Sequence, residues 1–439
     1  MTLNPRVFSL FLLYLLPISL ITGPAIPDIS ITLIGILFLI NIFIKKDFDF
    51  LREFWVKTGL LFWIILLILS FFSKNIFQSF IESFIFLRYL LLIIAINFWI
   101  IKKEKEINFL VGIILFSLLF IILDCFYQYF GYTSYNGFGK DIFGFVSTHY
   151  GRLTGPFNEQ IPGAHLARFI FIPLILFLYK WHNSNLKQLF IAIYLVSGFY
   201  IIWISGEAMA FATIIMGIVF YLILINRLRK VFLLATLIFF FSIYYTISNH
   251  KIFNDFEIIE STPYHLGLKI EKKYICNKNP NKICSKEIIT NPEADKVIKN
   301  FSKSIYYMIY SEGIKMWKDN IFVGIGLSNF EDVCINEKKY RLYKKNYGEC
   351  SSHPHNFYLQ WLVETGVIGL LFFLIFVASI FLKIFKNFNF LNARISFISL
   401  MILFWPVMST GSLIKNWNGV EFFFIVGISL LISNKYKSI

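Results

Sequence analysis

Apolar stretches of roughly 16–27 residues alternate with short polar segments along most of the chain. A helix that crosses the hydrocarbon core of a bilayer needs about 20 apolar residues, so each stretch predicts one span. The pattern therefore predicts an all-α polytopic membrane protein with about twelve transmembrane helices. The predicted spans are residues 7–22, 29–45, 57–73, 80–101, 107–130, 161–180, 187–204, 207–226, 230–247, 356–382, 391–408 and 417–433.

The basic residues predict the orientation of these spans. With a cytoplasmic N-terminus, eighteen Lys and Arg residues fall in inner loops and tails, and four fall in short outer loops. Because Lys and Arg favour cytoplasmic loops, both termini are expected inside. The net charge of +15 is therefore largely a signal of topology. The cations are scattered at span ends, so nucleic acid is not an expected partner.

This topology divides the chain into three parts. Residues 1–247 hold nine spans and an outer segment at 131–160, residues 248–355 form a large periplasmic loop domain, and residues 356–439 hold three spans. In the loop, residues 305–317 have the pattern of an amphipathic helix lying on the membrane surface. The hydrophobic content of 57% and the charged content of 15% exclude a soluble globular class.

Four of the five cysteines lie in the large loop. An even number of cysteines in an oxidising compartment predicts disulfides, and the spacing pairs Cys276 with Cys284 and Cys334 with Cys350. The competing interpretation is a zinc site, which the absence of a Cys-x-x-Cys spacing disfavours. The fifth cysteine, Cys125, is expected to be a buried thiol within a span.

The run His353-Pro354-His355-Asn356 stands where the large loop meets the next span. Histidine has an ordinary pKa near neutrality, so His353 and His355 are candidates to take a proton from a hydroxyl and pass it on. The alternative is structural: Asn356 caps the helix that follows, and the run does nothing else.

Three arginines are predicted at the outer level of the membrane: Arg88, Arg152 and Arg168. Charged residues in spans cost about 2.5–3.5 kcal/mol and tend to be kept for a ligand or pathway. The planar guanidinium of arginine suits phosphate, whereas the alternative is that each side chain extends to the interface.

Three stretches resemble the O-antigen ligase and O-antigen polymerase superfamily of bacterial membrane glycosyltransferases. Residues 353–369, HPHNFYLQWLVETGVIG, are similar to its His-x-His-Asn block with a Glu-x-Gly-x-x-Gly continuation. Residues 319–330, DNIFVGIGLSNF, resemble the Gly-x-Gly turn that precedes this block, and Arg152-Leu-Thr-Gly-Pro-Phe157 resembles an Arg-x-x-Gly-Pro-Phe element. The resemblance assigns site-shaping roles to Asn356, Glu364, Gly366, Gly324 and Gly326.

The resemblance implies a GT-C-like fold and transfer of a glycan from undecaprenyl pyrophosphate to a hydroxyl acceptor, without metal or cofactor. The reaction would take place on the periplasmic face of the bacterial inner membrane, with the lipid A core as acceptor. A polymerase and a protein O-oligosaccharyltransferase of the same superfamily are the alternatives. His355 or His353 would be the base, and Arg152, Arg168 and Arg88 would bind the pyrophosphate of the donor.

The chain also departs from the family. Relatives commonly carry an arginine after the position of Ser205-Gly206-Glu207, where this chain has Ala208, and another before the loop tryptophan, where it has Ser311-Glu312-Gly313. Either Arg88, Arg152 and Arg168 suffice, with help from Lys315 or Lys318, or activity is impaired. A flippase for lipid-linked sugars is the alternative from another class, but it would be expected to line a path across the whole membrane depth.

Overall fold

The structure is a computed structural model. It describes residues 4–132, 138–147, 152–157, 161–181, 184–249, 260–265, 268–276, 284–292, 305–341, 350–407 and 411–435. Within these residues, nine helices are long and apolar enough to cross a membrane. Three shorter apolar helices occupy the positions of the remaining predicted spans. The protein is thus a multi-pass helical membrane protein, and the count of twelve crossings stays a prediction.

The helices follow the predicted apolar stretches closely. They are α1 (Pro5–Thr22), α2 (Ala25–Lys45), α3 (Phe54–Ser70), α4 (Ile76–Ala95), α5 (Glu104–Phe130), α6 (Pro162–Phe169), α7 (Leu174–Leu176), α8 (Asn185–Ile204), α9 (Ala208–Leu224), α10 (Arg229–Asn249), α11 (Ile305–Asp319), α12 (Phe330–Asn336), α13 (Phe357–Phe385), α14 (Leu391–Leu403) and α15 (Asn416–Lys435). A π-helical turn, Ile96–Ile100, continues α4, and another, Phe177–Trp181, follows α7.

Several helices begin at a side chain that caps them. Asn4 accepts a hydrogen bond from the backbone N–H of Arg6 at the start of α1, and Asn75 accepts one from Gln78 at the start of α4. At α5, the Glu106 carboxylate accepts hydrogen bonds from the N–H groups of Lys102 and Lys103. Such caps satisfy N–H groups that a helix cannot pair internally, so they fix where each span starts.

Two compact units divide the chain. The first contains Met1–Leu110 and Tyr306–Ser438, and in it α13 packs on α3 while α15 packs on α2 and α4. Its core is aromatic: Trp361 of α13 lies 5.1 Å between ring centroids from Phe62 of α3 and 5.7 Å from Phe86 of α4. Within the same core, the hydroxyls of Thr58 and Ser379 are 2.8 Å apart. The first spans and the last spans therefore build one core.

The second unit contains Val111–Ile305. Helix α8 packs against α6, α9 and α10. The rings of Tyr221 and Phe232 stack with centroids 3.8 Å apart, and the Tyr200 hydroxyl bonds to Tyr129 at 3.1 Å. Helix α6 is followed by a turn at 170–173 rather than a continuous helix, so the predicted span 161–180 is interrupted.

The loop after α10 corrects the all-α expectation for that segment. Residues of this loop form three antiparallel strands in the order β1 (Glu260–His265), β2 (Leu268–Cys276) and β3 (Cys284–Pro292). The sequence analysis predicted a surface helix at 305–317, which α11 confirms, and did not predict the strands. Runs such as Leu268–Cys276 are short and rich in lysine, which hides their alternation among the much stronger apolar patterns of the spans.

The cysteine predictions have different outcomes. The Cys334–Cys350 disulfide is present, and Cys125 is a buried free thiol, as predicted. Because Cys334 and Cys350 are bonded to each other, the zinc alternative is wrong for this pair. The register of β2 and β3 places Cys276 directly opposite Cys284, but their side chains lie outside the described part, so that disulfide stays a prediction.

Candidate functional site

The start of α13 holds the histidine run in place. The Asn356 side chain accepts a hydrogen bond from the Leu359 N–H at 3.0 Å, so Asn356 is the predicted N-cap. Its amide nitrogen donates to the Pro406 carbonyl at 2.8 Å, and the Tyr358 hydroxyl donates to the Phe404 carbonyl at 2.7 Å. The cap thus exists, and it also ties the histidine run to the end of α14.

His353 and His355 are close to each other and half-buried. Their ring centroids are 4.2 Å apart, and the Ser352 hydroxyl lies 3.0 Å from His353 Nδ1. The ring of Tyr306, from α11, meets His355 edge-on with centroids 5.5 Å apart. Two imidazoles with access to solvent and partners on several sides can pass a proton between a bound hydroxyl and the medium.

The backbone of His355 adopts a left-handed conformation, with φ of 54°. A residue with a Cβ in this region costs on the order of 1–3 kcal/mol, and such positions concentrate at functional sites. A glycine would meet the backbone requirement with less strain. The presence of histidine instead of glycine favours a chemical role for the ring over a role in the turn alone.

The Gly-x-Gly turn and the glycine of α13 form one structure, which we call the glycine clasp (residues 321–326 with 363–368). The N–H groups of Ile325 and Gly326 donate to the carbonyls of Val363 and Glu364 at 3.0 and 2.8 Å. In return, the Val367 N–H donates to the Ile321 carbonyl at 2.9 Å. Helix α13 is broken at Gly366, where φ is 67°, and this break frees the carbonyls.

The glycines of the clasp are required by close backbone contacts. A Cβ on Gly366 would lie 2.2 Å from the Phe322 carbonyl oxygen, and one on Gly324 would lie 2.5 Å from the Glu364 carbonyl oxygen. Gly326 also has a positive φ, of 103°. The site-shaping roles predicted for these glycines now have a physical basis, because each holds the segment before α13 against the helix.

The clasp is anchored to the start of α4 as well. The Lys74 N–H donates to the Ile325 carbonyl at 2.9 Å, and the Ser79 hydroxyl donates to the Leu327 carbonyl at 3.1 Å. The Lys339 ammonium and the Tyr340 hydroxyl both donate to Asp319 at 2.7 Å, which holds the pKa of the Asp319 carboxyl below its ordinary value. Residues 319–340 of the large loop are therefore tied to α4 and to one another.

A row of polar side chains runs along one face of α13, at Asn356, Gln360 and Glu364. Residues four apart share a helix face, so the three follow one another into the span. The Gln360 amide donates to Ser412 at 2.8 Å and to Glu364 at 3.3 Å, and Glu364 is only 1% exposed. Gln360 was not predicted. The signal that identifies it is the interval of four residues between the three polar positions in an otherwise apolar span.

Arg88 lies in the first unit and forms an ion pair. Its guanidinium is 2.9 Å from the Asp28 carboxylate of α2 and 5.0 Å from the ring centroid of Tyr89. The Tyr89 hydroxyl donates in turn to the Ile414 carbonyl at 3.3 Å. Part of the charge of Arg88 is therefore already neutralised, which weakens its case as a phosphate ligand.

The Arg-x-x-Gly-Pro-Phe element lies in the second unit, and one side chain of α5 accepts two of its backbone N–H groups. The carboxamide oxygen of Gln128, from α5, accepts hydrogen bonds from the N–H groups of Thr154 and Gly155 at 2.9 and 3.0 Å. Gln128 is fully buried, and Gly155 has a φ of 51°. Arg152 precedes this clamp and is half-buried.

Arg168 lies on α6, one turn after His165, and both residues are buried. His165 and Arg168 are 6% and 8% exposed, and the ring of His165 lies between those of Phe157 and Phe169, at centroid distances of 5.2 and 4.8 Å. The Glu207 carboxylate accepts a hydrogen bond from the Ala164 N–H at the start of α6. The Ser205-Gly206-Glu207 turn thus orients α6, a role that the sequence analysis did not identify.

The structure brings some of the predicted residues together. His353, His355 and Asn356 adjoin one another, and Glu364, Gly366, Gly324 and Gly326 belong to the clasp below them. Arg88 shares their unit, while Arg152 and Arg168 belong to the other unit. The roles of all these residues in catalysis or binding remain predictions.

Comparison with known proteins identifies one family. Residues 190–374 match the family model described as O-antigen ligase. The matched region includes the glycine clasp and the histidine run, and it confirms the predicted resemblance to the O-antigen ligase superfamily. Arg88, Arg152 and Arg168 lie outside it. A search of the curated proteins found no match.

Proposed function

We propose, from the match of residues 190–374 to O-antigen ligases, that the protein transfers a glycan from undecaprenyl pyrophosphate to a hydroxyl of the lipid A core. The acceptor oxygen bonds to the anomeric carbon of the glycan while the bond from that carbon to the pyrophosphate oxygen breaks. The hydroxyl proton goes to a histidine, and undecaprenyl pyrophosphate leaves. The reaction takes place on the periplasmic face of the inner membrane, as the loop charges predict.

The observation that carries this proposal is the left-handed His355 beside His353 at the start of α13. We assign His355 as the base, because it lies one residue before the Asn356 cap and is held by the start of the span. His353, near Ser352, accepts or relays the proton. Arg152 and Arg168 are assigned to the pyrophosphate from sequence, and Arg88 is the weakest of the three because of its pairing with Asp28.

The test is transfer by purified protein from undecaprenyl-pyrophosphate glycan to lipid A core. Loss of a general base typically lowers the rate by about 10²–10⁴-fold, so His355→Ala and His353→Ala are expected to fall in this range. His265→Ala is a matched control, since it removes an imidazole from β1, to which no role in transfer is assigned. Full activity of the double variant His353→Ala/His355→Ala would contradict the catalytic role and favour the alternative that the run only caps α13.

The same assay distinguishes the acceptors. Growth of the glycan on its carrier, with no product on lipid A core, would identify a polymerase. Transfer to a serine-containing or threonine-containing peptide would identify a protein O-oligosaccharyltransferase. Movement of the lipid-linked sugar across vesicles without any transfer would favour the flippase.

A further inference from the structure

A cavity of about 530 Å³ lies in the first unit. It is at the C-terminal ends of α2 and α4, which is the end of the bundle opposite to the histidine run. One wall is apolar and comes from α2, with Leu37, Ile40 and Ile44. The other wall is aromatic and comes from the π-helical turn after α4, with Phe98 and Trp99. The volume falls in the range of about 300–1,000 Å³ typical of ligand pockets.

Three cations from three segments line the same cavity: Arg6, Lys45 and Lys102. Arg6 is paired with Glu106 at 2.6 Å. The two lysines are different, because no carboxylate in the described part of the chain lies within ion-pair distance of either. The Lys102 ammonium donates one hydrogen bond, to the Phe98 carbonyl at 2.9 Å, which directs it along the wall. An ammonium has three donors, so two remain for a ligand.

The acidic residues of the lining offset these lysines only in part. Asp49 forms an ion pair with Arg52 at 3.2 Å. Asp47 accepts a hydrogen bond from the Asp49 N–H, which closes a turn after α2, and it leaves one carboxylate against two lysines in the lining. The cavity therefore combines apolar and aromatic walls with two lysines at the helix ends.

We propose that this cavity binds an anionic phospholipid of the inner leaflet, with the phosphate between Lys45 and Lys102 and an acyl chain along Leu37, Ile40 and Ile44. The loop charges predict that these helix ends face the cytoplasm, where basic pockets between spans receive anionic headgroups. A free anion would use the lysines but would leave the apolar wall unused. The site is separate from glycan transfer and does not depend on it.

The experiment measures lipid retention by the full-length protein. Purified protein in neutral detergent is titrated with phosphatidylglycerol or phosphatidylcholine and examined by native mass spectrometry. Phosphatidylglycerol is expected to bind more tightly. Lys45→Ala/Lys102→Ala is expected to weaken its binding about 30-fold, from the usual contribution of a lysine near an anionic headgroup. Lys57→Ala/Lys386→Ala removes the same charge outside the lining and should leave binding unchanged.

A second variant tests the acyl-chain part of the cavity. Leu37→Trp adds volume to the apolar wall without changing charge, so it should also weaken phosphatidylglycerol binding. Equal binding by wild type and the Lys45/Lys102 variant would overturn the proposal. Equal binding of phosphatidylglycerol and phosphatidylcholine would do the same. Displacement of the lipid by millimolar inorganic phosphate, with Leu37→Trp unaffected, would show a simple anion site instead.

Discussion

The glycine clasp and the Arg-x-x-Gly-Pro-Phe element are two motif segments that the protein holds in different ways. In the clasp, backbone groups of residues 321–326 bond to backbone groups of residues 363–368. In the second segment, a single buried side chain, Gln128, accepts both N–H groups of Thr154 and Gly155. Both segments use glycine at positive φ, at Gly324, Gly366 and Gly155.

The two segments differ in which substitutions disrupt their conformation. The bonds that join the two halves of the clasp run from backbone to backbone, so its glycines are the positions where a substitution opens it most directly. A side-chain clamp depends on the identity of one residue. The histidine run adjoins the segment held by backbone hydrogen bonds, and Arg152 adjoins the segment held by Gln128. Mutations in the glycine clasp and in the Arg-x-x-Gly-Pro-Phe element therefore test whether the two segments are held independently of each other.

The largest effect is expected for Gly366→Ala. The new Cβ would lie 2.2 Å from the Phe322 carbonyl oxygen and would require a left-handed alanine. Such a change destabilises a fold by about 3–5 kcal/mol. Gly112→Ala is the control, because nothing lies within 4 Å of its added Cβ and the helix gains from alanine. Thermal unfolding in detergent measures both, and an unchanged melting temperature for Gly366→Ala would show that the clasp is adaptable.

A smaller effect is expected when the Cys334–Cys350 disulfide is removed. Cys350 lies three residues before His353, so the bond limits the freedom of the histidine run. Closing a loop of about 15 residues contributes roughly 3 kcal/mol in the chain-entropy description. In the double Cys→Ala variant, hydrogen exchange should rise across residues 350–356 and stay the same across 152–157. A rise in both segments would mean that the two regions are not held separately.

The smallest effect of the three is expected at Gln128. In Gln128→Leu, the Thr154 and Gly155 N–H groups lose their acceptor, at a cost of about 1–3 kcal/mol for each group that water does not reach, and the effect is confined to these two amides. Gln128→Glu keeps an acceptor oxygen and should recover part of the order of the segment. Hydrogen exchange at Thr154 and Gly155 reports this directly. Protection that survives Gln128→Leu would show that another group holds the segment.

Hydrophobic pattern alone predicts most of the helical framework. Each predicted span is found as an apolar helix or, at 161–180, an interrupted one, because burial in a bilayer demands long apolar runs that stand out in any sequence. The interruption after α6 was not predicted. A Pro173 inside the run is a weak signal by itself, since α1 contains Pro17 and continues through it.

The chemistry of the site was only partly predictable. His353, His355 and Asn356 are neighbours in sequence, so their proximity required no knowledge of the fold. The pairing of Arg88 with Asp28 joins residues sixty apart, and it follows from the packing of α2 on α4. Glu207 and Gln128 were missed for the same reason. Their roles are contacts with backbone groups of distant segments, which leave no spacing in the sequence.

The first unit is built from two segments that are far apart in the sequence, and this determines the order in which it assembles. Its first 110 residues emerge from the ribosome long before Tyr306, and the whole second unit is made in between. At about 5–20 residues per second, roughly 200 intervening residues take on the order of 10–40 seconds. During that interval Phe62 and Phe86 have no Trp361 to pack against, and Thr58 has no Ser379. Helices α3 and α4 therefore lie in the membrane without their packing partner until α13 is synthesised.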